Sequence, residues 1–169
     1  MSLSNAPSTK VALALGSNMG DRMAALRQAV AALEPYITNV ETSQVYETDP
    51  LYVTDQPAFL NAALIGETKL PPLVLLWAIK DLESELGRQP TFHYGPRTLD
   101  IDILFYDDQS YVTPELTLPH ARMAEREFVL RPLADIAPNW KHPQTGLTVK
   151  DMLKQIPSSD PKSLGPLLS

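Results

Sequence analysis

The 169-residue sequence contains no cysteine, which excludes a disulfide framework and a thiolate metal site and makes the cytoplasm the default compartment. It also lacks any apolar run near the roughly 20 residues that a membrane span needs. Met1 to Thr9 is polar and has neither the basic region nor the apolar core of a signal peptide, so it is expected to be a flexible N-terminus. Basic residues are outnumbered, with 14 Lys and Arg against 20 Asp and Glu and a net charge of −6. A phosphate-backbone partner needs a basic face, so no nucleic acid partner is expected. A local cluster of arginines could still hold a small anion. No internal repeat is present.

What remains is an ordinary globular composition, 44% hydrophobic and 20% charged, in a length that suits one domain. The domain is expected over residues 10–156, with 157–169 a frayed tail. The 16 prolines fall mostly between periodic segments, which suggests shaped loops rather than disorder.

Lys10 to Leu15 is a short apolar run that reads as a buried central strand. After the turn Gly16-Ser-Asn-Met-Gly20, Asp21 can cap a helix with Met23, Leu26, Val30 and Leu33 at helical spacing, ended by Pro35. Thr38 to Thr48 reads as a strand. Phe59 to Ile65 follows as another, with Leu60, Ala62 and Leu64 on one face and Phe59, Asn61 and Ala63 on the other. Pro71-Pro72 opens a second helix carrying Leu75, Leu76, Ile79, Leu82 and Leu86, with Gly87 as its stop. Arg88 to Arg97 is a loop and Leu99 to Tyr106 a strand.

This order, strand-helix-strand-strand-helix-strand, is that of a ferredoxin-like α+β sandwich. Both helices are expected on one face of an antiparallel sheet, leaving the other face free. Tyr111 to Leu118 could add edge strands, and Ala121 to Ala137 could hold a short helix. Thr148 with Asp151 opens a last helix in capping-box style.

The chemistry concentrates in Tyr94-Gly-Pro-Arg-Thr-Leu-Asp-Ile-Asp-Ile-Leu-Phe105. Period two puts Leu99, Ile101, Ile103 and Phe105 on one strand face and Asp100 with Asp102 on the other. Two same-face carboxylates can share a cation such as magnesium, with phosphates and water completing the shell. The competing interpretation is a solvated edge strand. The apolar opposite face argues instead for a central strand, where two like charges repel unless a cation joins them.

Arg97 enters this strand and Arg88 stands at the far end of the preceding loop. Planar guanidinium groups suit phosphate oxygens and offset charge during phosphoryl transfer. His120 follows Pro119, and a single histidine there is more often a turn residue than a catalytic one. Phe59 and Asn61 would share a sheet face, an aromatic plate beside an amide, suited to a flat heterocycle. Phe59 fits packing under a neighbouring loop equally well, and Phe128 has the same two readings.

Taken together these residues resemble the 6-hydroxymethyl-7,8-dihydropterin pyrophosphokinase family. The resemblance runs from Leu15-Gly-Ser-Asn18 to about Ala137. Its signature is His93-Tyr-Gly-Pro-Arg-Thr-Leu-Asp-Ile-Asp-Ile-Leu104, joined in order by Tyr46-Glu-Thr-Asp-Pro-Leu51, Asp55-Gln-Pro-Ala-Phe-Leu-Asn-Ala-Ala63, Leu118-Pro-His120 and Arg126-Glu-Phe128. The resemblance implies transfer of diphosphate from ATP to the pterin hydroxymethyl group in folate biosynthesis, with two magnesium ions; a monomer is expected. Asp100 and Asp102 match the metal-holding carboxylates, and Arg88 and Arg97 the phosphate-contacting arginines.

The same resemblance places His120 at the ATP phosphates and Arg126 in the nucleotide pocket, with Glu83 and the backbone of Ile103 around the adenosine. It implies that Phe59 and Phe128 sandwich the pterin, that Asn61 reads its edge, and that Thr48 and Leu51 line the pocket. Pro90 and Tyr94 depart from the family pattern, which often has arginine and tryptophan there, and Ala121 stands where tyrosine is common. The length is too short for the fused folate enzymes, so a monofunctional chain is expected. Two other classes compete: a sugar-nucleotide transferase using Asp-x-Asp, and a non-catalytic ferredoxin-like binding module.

Overall fold

A computed structural model describes residues 7–48, 58–86 and 99–168. Strand β1 (Thr9–Ser17) leads through helix α1 (Arg22–Leu33) to β2 (Thr38–Thr42), β3 (Gln44–Thr48) and β4 (Phe59–Thr68). Helix α2 (Pro72–Glu85) and β5 (Asp100–Tyr106) complete the expected order. The sheet runs β5-β1-β4-β3, with β2 also on β4, and the pairings are antiparallel. This is the ferredoxin-like arrangement, with one change of detail.

The stretch expected as a single strand is broken at Ser43 into β2 and β3. Ser43 Oγ accepts from the Ala63 amide at 2.8 Å, so a side chain supplies a partner within the ladder and the strand bends there.

Local chemistry explains the helix starts. Asp21 caps α1, its carboxylate accepting from the Ala24 amide at 3.1 Å. Pro72 sits in the first turn of α2, where its missing amide hydrogen costs nothing. The apolar stripes of α1 (Leu26, Ala29, Val30, Leu33) and α2 (Leu75, Ile79, Leu82) pack on Leu13, Leu15, Leu60, Leu64, Ile101 and Ile103 in one core.

The opposite sheet face is not free as expected. Helices α3 (Glu127–Ile136) and α4 (Val149–Lys154) cover part of it with Val129, Leu130, Leu133, Val149 and Met152. They close on Ala12, Ala63, Leu104 and Phe105, and the two alanines let a helix come near the sheet. Thr148 caps α4 by accepting from the Asp151 amide at 3.1 Å.

Three further expectations are corrected. Strand β5 lies at the edge of the sheet order, not at its centre. Its apolar residues are nonetheless buried, because α2 covers one face and α3 with α4 the other. Phe105 does not share a face with Ile103: Leu13 pairs with Ile103 and Ala12 with Phe105, which leaves Leu104 as a bulge. The bulge turns Phe105 into the second core, where it stacks on Trp140 at 5.1 Å. Strands β6 (Tyr111–Val112) and β7 (Thr117–Leu118) pair with each other in a separate ribbon rather than extending the sheet.

The expected frayed tail instead forms strand β8 (Lys162–Pro166) against β3. Leu167 is fully buried. Its amide donates to Ser43 O at 3.1 Å and its carbonyl accepts from Arg27 Nε at 3.1 Å. An apolar anchor and an unpaired strand edge outweigh the polar, proline-rich composition that suggested fraying.

Candidate active site

The antiparallel register aligns the chemistry across one sheet face. Asp100 pairs with Gly16, Gly16 with Asn61, and Asn61 with Tyr46. The next row joins Asp102, Ala14 and Ala63, and on the other side Phe59 pairs with Thr48. Directly paired residues project to the same face. Asp100, Asp102, Asn61, Phe59 and Thr48 therefore share one face, beside the part that α3 and α4 cover.

Gly16 is the hinge of this row. A Cβ there would meet Asn61 Oδ1 at 3.2 Å and Phe59 Cδ1 at 3.9 Å. Its missing side chain lets the Asn61 amide lie over the β1 backbone, between Phe59 and the carboxylates. Asn61 is 5% exposed, and its Nδ2 donates to Thr48 Oγ1 at 2.6 Å. Thr48 thus fixes the rotation of the amide plane.

Beside Asp102, a pocket of about 410 Å³ lies between α2, the β5 edge and the segment 115–126. Leu76, Ile101 and Ile103 provide apolar wall, while Lys80, His120 and Arg126 bring polar groups. The Ile101 amide donates to Glu83 Oε2 at 2.8 Å, so it points away from β1. By the strand's two-residue period the Ile103 amide and carbonyl point the same way, toward the pocket.

Glu83 is almost fully buried, with its other oxygen on Lys80 Nζ at 3.2 Å. It sits beneath this region and holds the β5 backbone at Ile101.

The bulge at Leu104 also serves the site. Its carbonyl accepts from the His120 amide at 3.0 Å, tying the His120 backbone to β5. Arg126 caps the far wall, its guanidinium 5.5 Å from the centre of the Phe128 ring. Arg126 Nε is buried and meets no hydrogen-bond acceptor among the described residues. That polar atom suits an anionic ligand.

The electrostatics agree with a cation-binding pair. Asp102 is pushed up to about 6, first by burial and then by the charge of Asp100. Lys80 and Arg126 pull it back in part, while Glu83 adds to the push. Two carboxylates that resist shared ionisation mark a place where a divalent cation lowers the energy. His120 is held below the usual histidine range, first by burial and then by Arg126. It is neutral near pH 7. Its Nδ1 accepts from the Arg122 amide at 3.3 Å, so the proton belongs on Nε2.

Of the residues singled out from sequence, the structure draws Asp100, Asp102, Ile103, His120 and Arg126 to one end of the face, with Phe128 beside Arg126. Thr48, Phe59 and Asn61 lie across Gly16 from them. Leu51, Arg88 and Arg97 lie outside the described residues, as do Pro90 and Tyr94. Lys80 and Gly16 escaped the sequence argument. Lys80 stands one helical turn before Glu83, a spacing that could have flagged it. The sequence pattern places Gly16 in a turn, whereas the structure makes it a residue of β1.

The chain matches the family model for 7,8-dihydro-6-hydroxymethylpterin-pyrophosphokinase over residues 12–138. It is 48% identical over 126 residues to the 2-amino-4-hydroxy-6-hydroxymethyldihydropteridine pyrophosphokinase of Bacillus subtilis, covering 73% of this chain and 75% of that protein. It is 41% identical over 148 residues to the folic acid synthesis protein fol1 of Schizosaccharomyces pombe, covering 86% of this chain and 20% of that one. The chain thus spans 20–27% of the length of the larger folate-synthesis proteins it matches. A crystal structure of Plasmodium falciparum HPPK-DHPS with pteroate superposes with a TM-score of 0.74 at 17% identity, covering 89% of this chain and 41% of that chain. At that identity the likeness speaks for the fold.

Proposed function

The chain belongs to the 7,8-dihydro-6-hydroxymethylpterin-pyrophosphokinase family, and we propose that it transfers diphosphate from ATP to 6-hydroxymethyl-7,8-dihydropterin, giving AMP and the pterin diphosphate. The observation that carries this assignment is the row Asp100-Gly16-Asn61. It sets a carboxylate pair and an amide-aromatic pair on one continuous face, a phosphate end and a heterocycle end.

The attacking hydroxymethyl oxygen forms a bond to the β-phosphorus of ATP. The bond from that phosphorus to the oxygen bridging it to the α-phosphorus breaks, AMP leaves on that oxygen, and the hydroxyl proton passes to solvent. Asn61, held by Thr48, hydrogen-bonds the edge of the pterin ring, while Phe59 and Phe128 stack on its faces; the family resemblance assigns Leu51 to the same ligand. This fixes the attacking oxygen relative to ATP, and positioning accounts for much of the rate.

The Ile103 backbone meets the adenine edge above the Glu83-braced strand. His120 donates from Nε2 and Arg126 from its guanidinium to phosphate oxygens, as Arg88 and Arg97 are assigned to do. Asp100 and Asp102 would hold two magnesium ions, with phosphate oxygens and water completing each shell. Magnesium, when bound, would offset charge on the entering and leaving oxygens.

No helix among the described residues is long and apolar enough to cross a membrane, and the lack of cysteine fits the cytoplasm. A monomer suffices, because the assigned residues all belong to one chain. Mixing the protein with magnesium, ATP and the hydroxymethyl pterin should release AMP, resolved by ion-exchange chromatography. ADP as the nucleotide product, or no turnover, would defeat the assignment.

A further inference from the structure

Arg22 stands at the first position of α1, directly after the cap Asp21. A cation there opposes the positive end of the helix dipole, so the helix itself gives no reason for an arginine. Its contacts lie elsewhere. Arg22 Nη1 donates to Ala58 O at 2.8 Å and pairs with Glu47 Oε2 at 3.1 Å. Glu47 is the penultimate residue of β3, and Ala58 immediately precedes β4.

Between these two contacts lies the last rung of the β3–β4 ladder, Thr48 opposite Phe59. One guanidinium therefore ties together both strands at the rung that carries the aromatic plate. The same rung carries the hydroxyl that orients Asn61.

We infer that Arg22 is a positioning residue for the heterocycle end of the site, setting the separation of Thr48 and Phe59 and through Thr48 the plane of the Asn61 amide. This rests on the assignment of Phe59 and Asn61 to the pterin. Arg22 and Glu47 are both part-exposed, and such an ion pair contributes little to global stability. A purely structural role would therefore leave ligand affinities as they are. The inferred role changes one affinity and spares the other, because the nucleotide pocket is built from α2, β5 and the segment 115–126.

The test measures dissociation constants for the hydroxymethyl pterin and, separately, for magnesium with a non-hydrolysable ATP analogue. Arg22→Gln should weaken pterin binding about tenfold, equivalent to about 1.4 kcal/mol, and leave the ATP analogue within about twofold. Arg22→Lys, which keeps the charge opposite Glu47, should recover part of the loss. Glu47→Gln should weaken pterin binding alone and gives the same readout if Arg22→Gln does not fold.

Asn61→Ala separates the two assignments. If it abolishes pterin binding while Arg22→Gln and Glu47→Gln leave it unchanged, the inference about Arg22 is wrong and the pocket stands. If Asn61→Ala is also without effect, the pocket assignment fails and takes the inference with it. Equal weakening of both ligands in the Arg22 variants would also overturn it.

Discussion

Replacing Asp102 with asparagine should stabilise the ligand-free protein while removing its activity. The Asp102 carboxyl is raised from 3.8 to about 6, chiefly by burial and by Asp100. A folded-state value above the unfolded one means that the native state holds this proton more tightly. Stability therefore falls as pH rises from about 4 to about 6 and is flat, for this group, above that window. A shift of about two units at 1.36 kcal/mol each gives a penalty near 3 kcal/mol at neutral pH. Solvent relaxation around the carboxylate discounts that figure, so about 1–3 kcal/mol is the expected gain in Asp102→Asn, where the charge is gone. At about 2–4 °C per kcal/mol for a chain of this size, the melting temperature should rise by about 5 °C.

Differential scanning fluorimetry in chelator-treated, nucleotide-free buffer at pH 7.5 reads this directly. The gain should shrink toward zero at pH 4, where the wild-type carboxyl is already protonated. Adding magnesium and an ATP analogue should raise the wild-type midpoint and leave the variant nearly unmoved. A variant that melts below wild type at pH 7.5, or a gain that persists at pH 4, would refute the view that the carboxylate pair is a strained cation site.

Changes at three other places probe the supports of the site and of the fold. Glu83→Ala should cost about 2–3 kcal/mol in urea denaturation, because it strands the buried Ile101 amide that Glu83 accepts from. Glu83→Gln, which keeps an acceptor, should recover most of that. Gly16→Ala places a methyl 3.2 Å from Asn61 Oδ1, and the displaced amide should weaken pterin binding several-fold, roughly, by titration, with nucleotide affinity retained. Truncation after Ile156 removes β8 and the buried Leu167 and should lower stability by about 2–4 kcal/mol in the same denaturation assay. Unchanged denaturation would show that the tail is dispensable.

The order of the main elements was legible because the stripes of α1 and α2 and the caps at Asp21 and Thr148 are local signals. Asp100 and Asp102 were legible for the same reason: period two puts them together without tertiary information. Three features depended on partners far away in sequence. The bulge at Leu104 is a register slip against Ala12 and Leu13, and nothing in Ile103-Leu-Phe105 announces which residue will be left over. The cover over the second sheet face required knowing that α3 packs on alanines of β1 and β4.

The edge position of β5 is not legible in the sequence, because a strand apolar on one face suggests a central place with neighbours on both sides. Helices on both faces bury its side chains instead. The tail strand is the converse case. Residues 157–169 are mostly polar and carry three prolines, yet Leu167 is buried and its backbone is held by hydrogen bonds with Arg27 and Ser43. Among the candidate site residues, Asn61 and Phe59 could be named from alternation. The hydrogen bond that orients Asn61 comes from the pairing of Thr48 with Phe59, which required the fold.

The most direct test of diphosphate transfer is phosphorus-31 NMR of a reaction containing magnesium, ATP and 6-hydroxymethyl-7,8-dihydropterin. Two mutually coupled resonances of a pterin diphosphate should grow in equal amount with AMP, and should be absent for Asp100→Asn and Asp102→Asn. A single uncoupled phosphate on the pterin with ADP as the co-product, or undiminished diphosphate transfer by the two asparagine variants, would contradict the account.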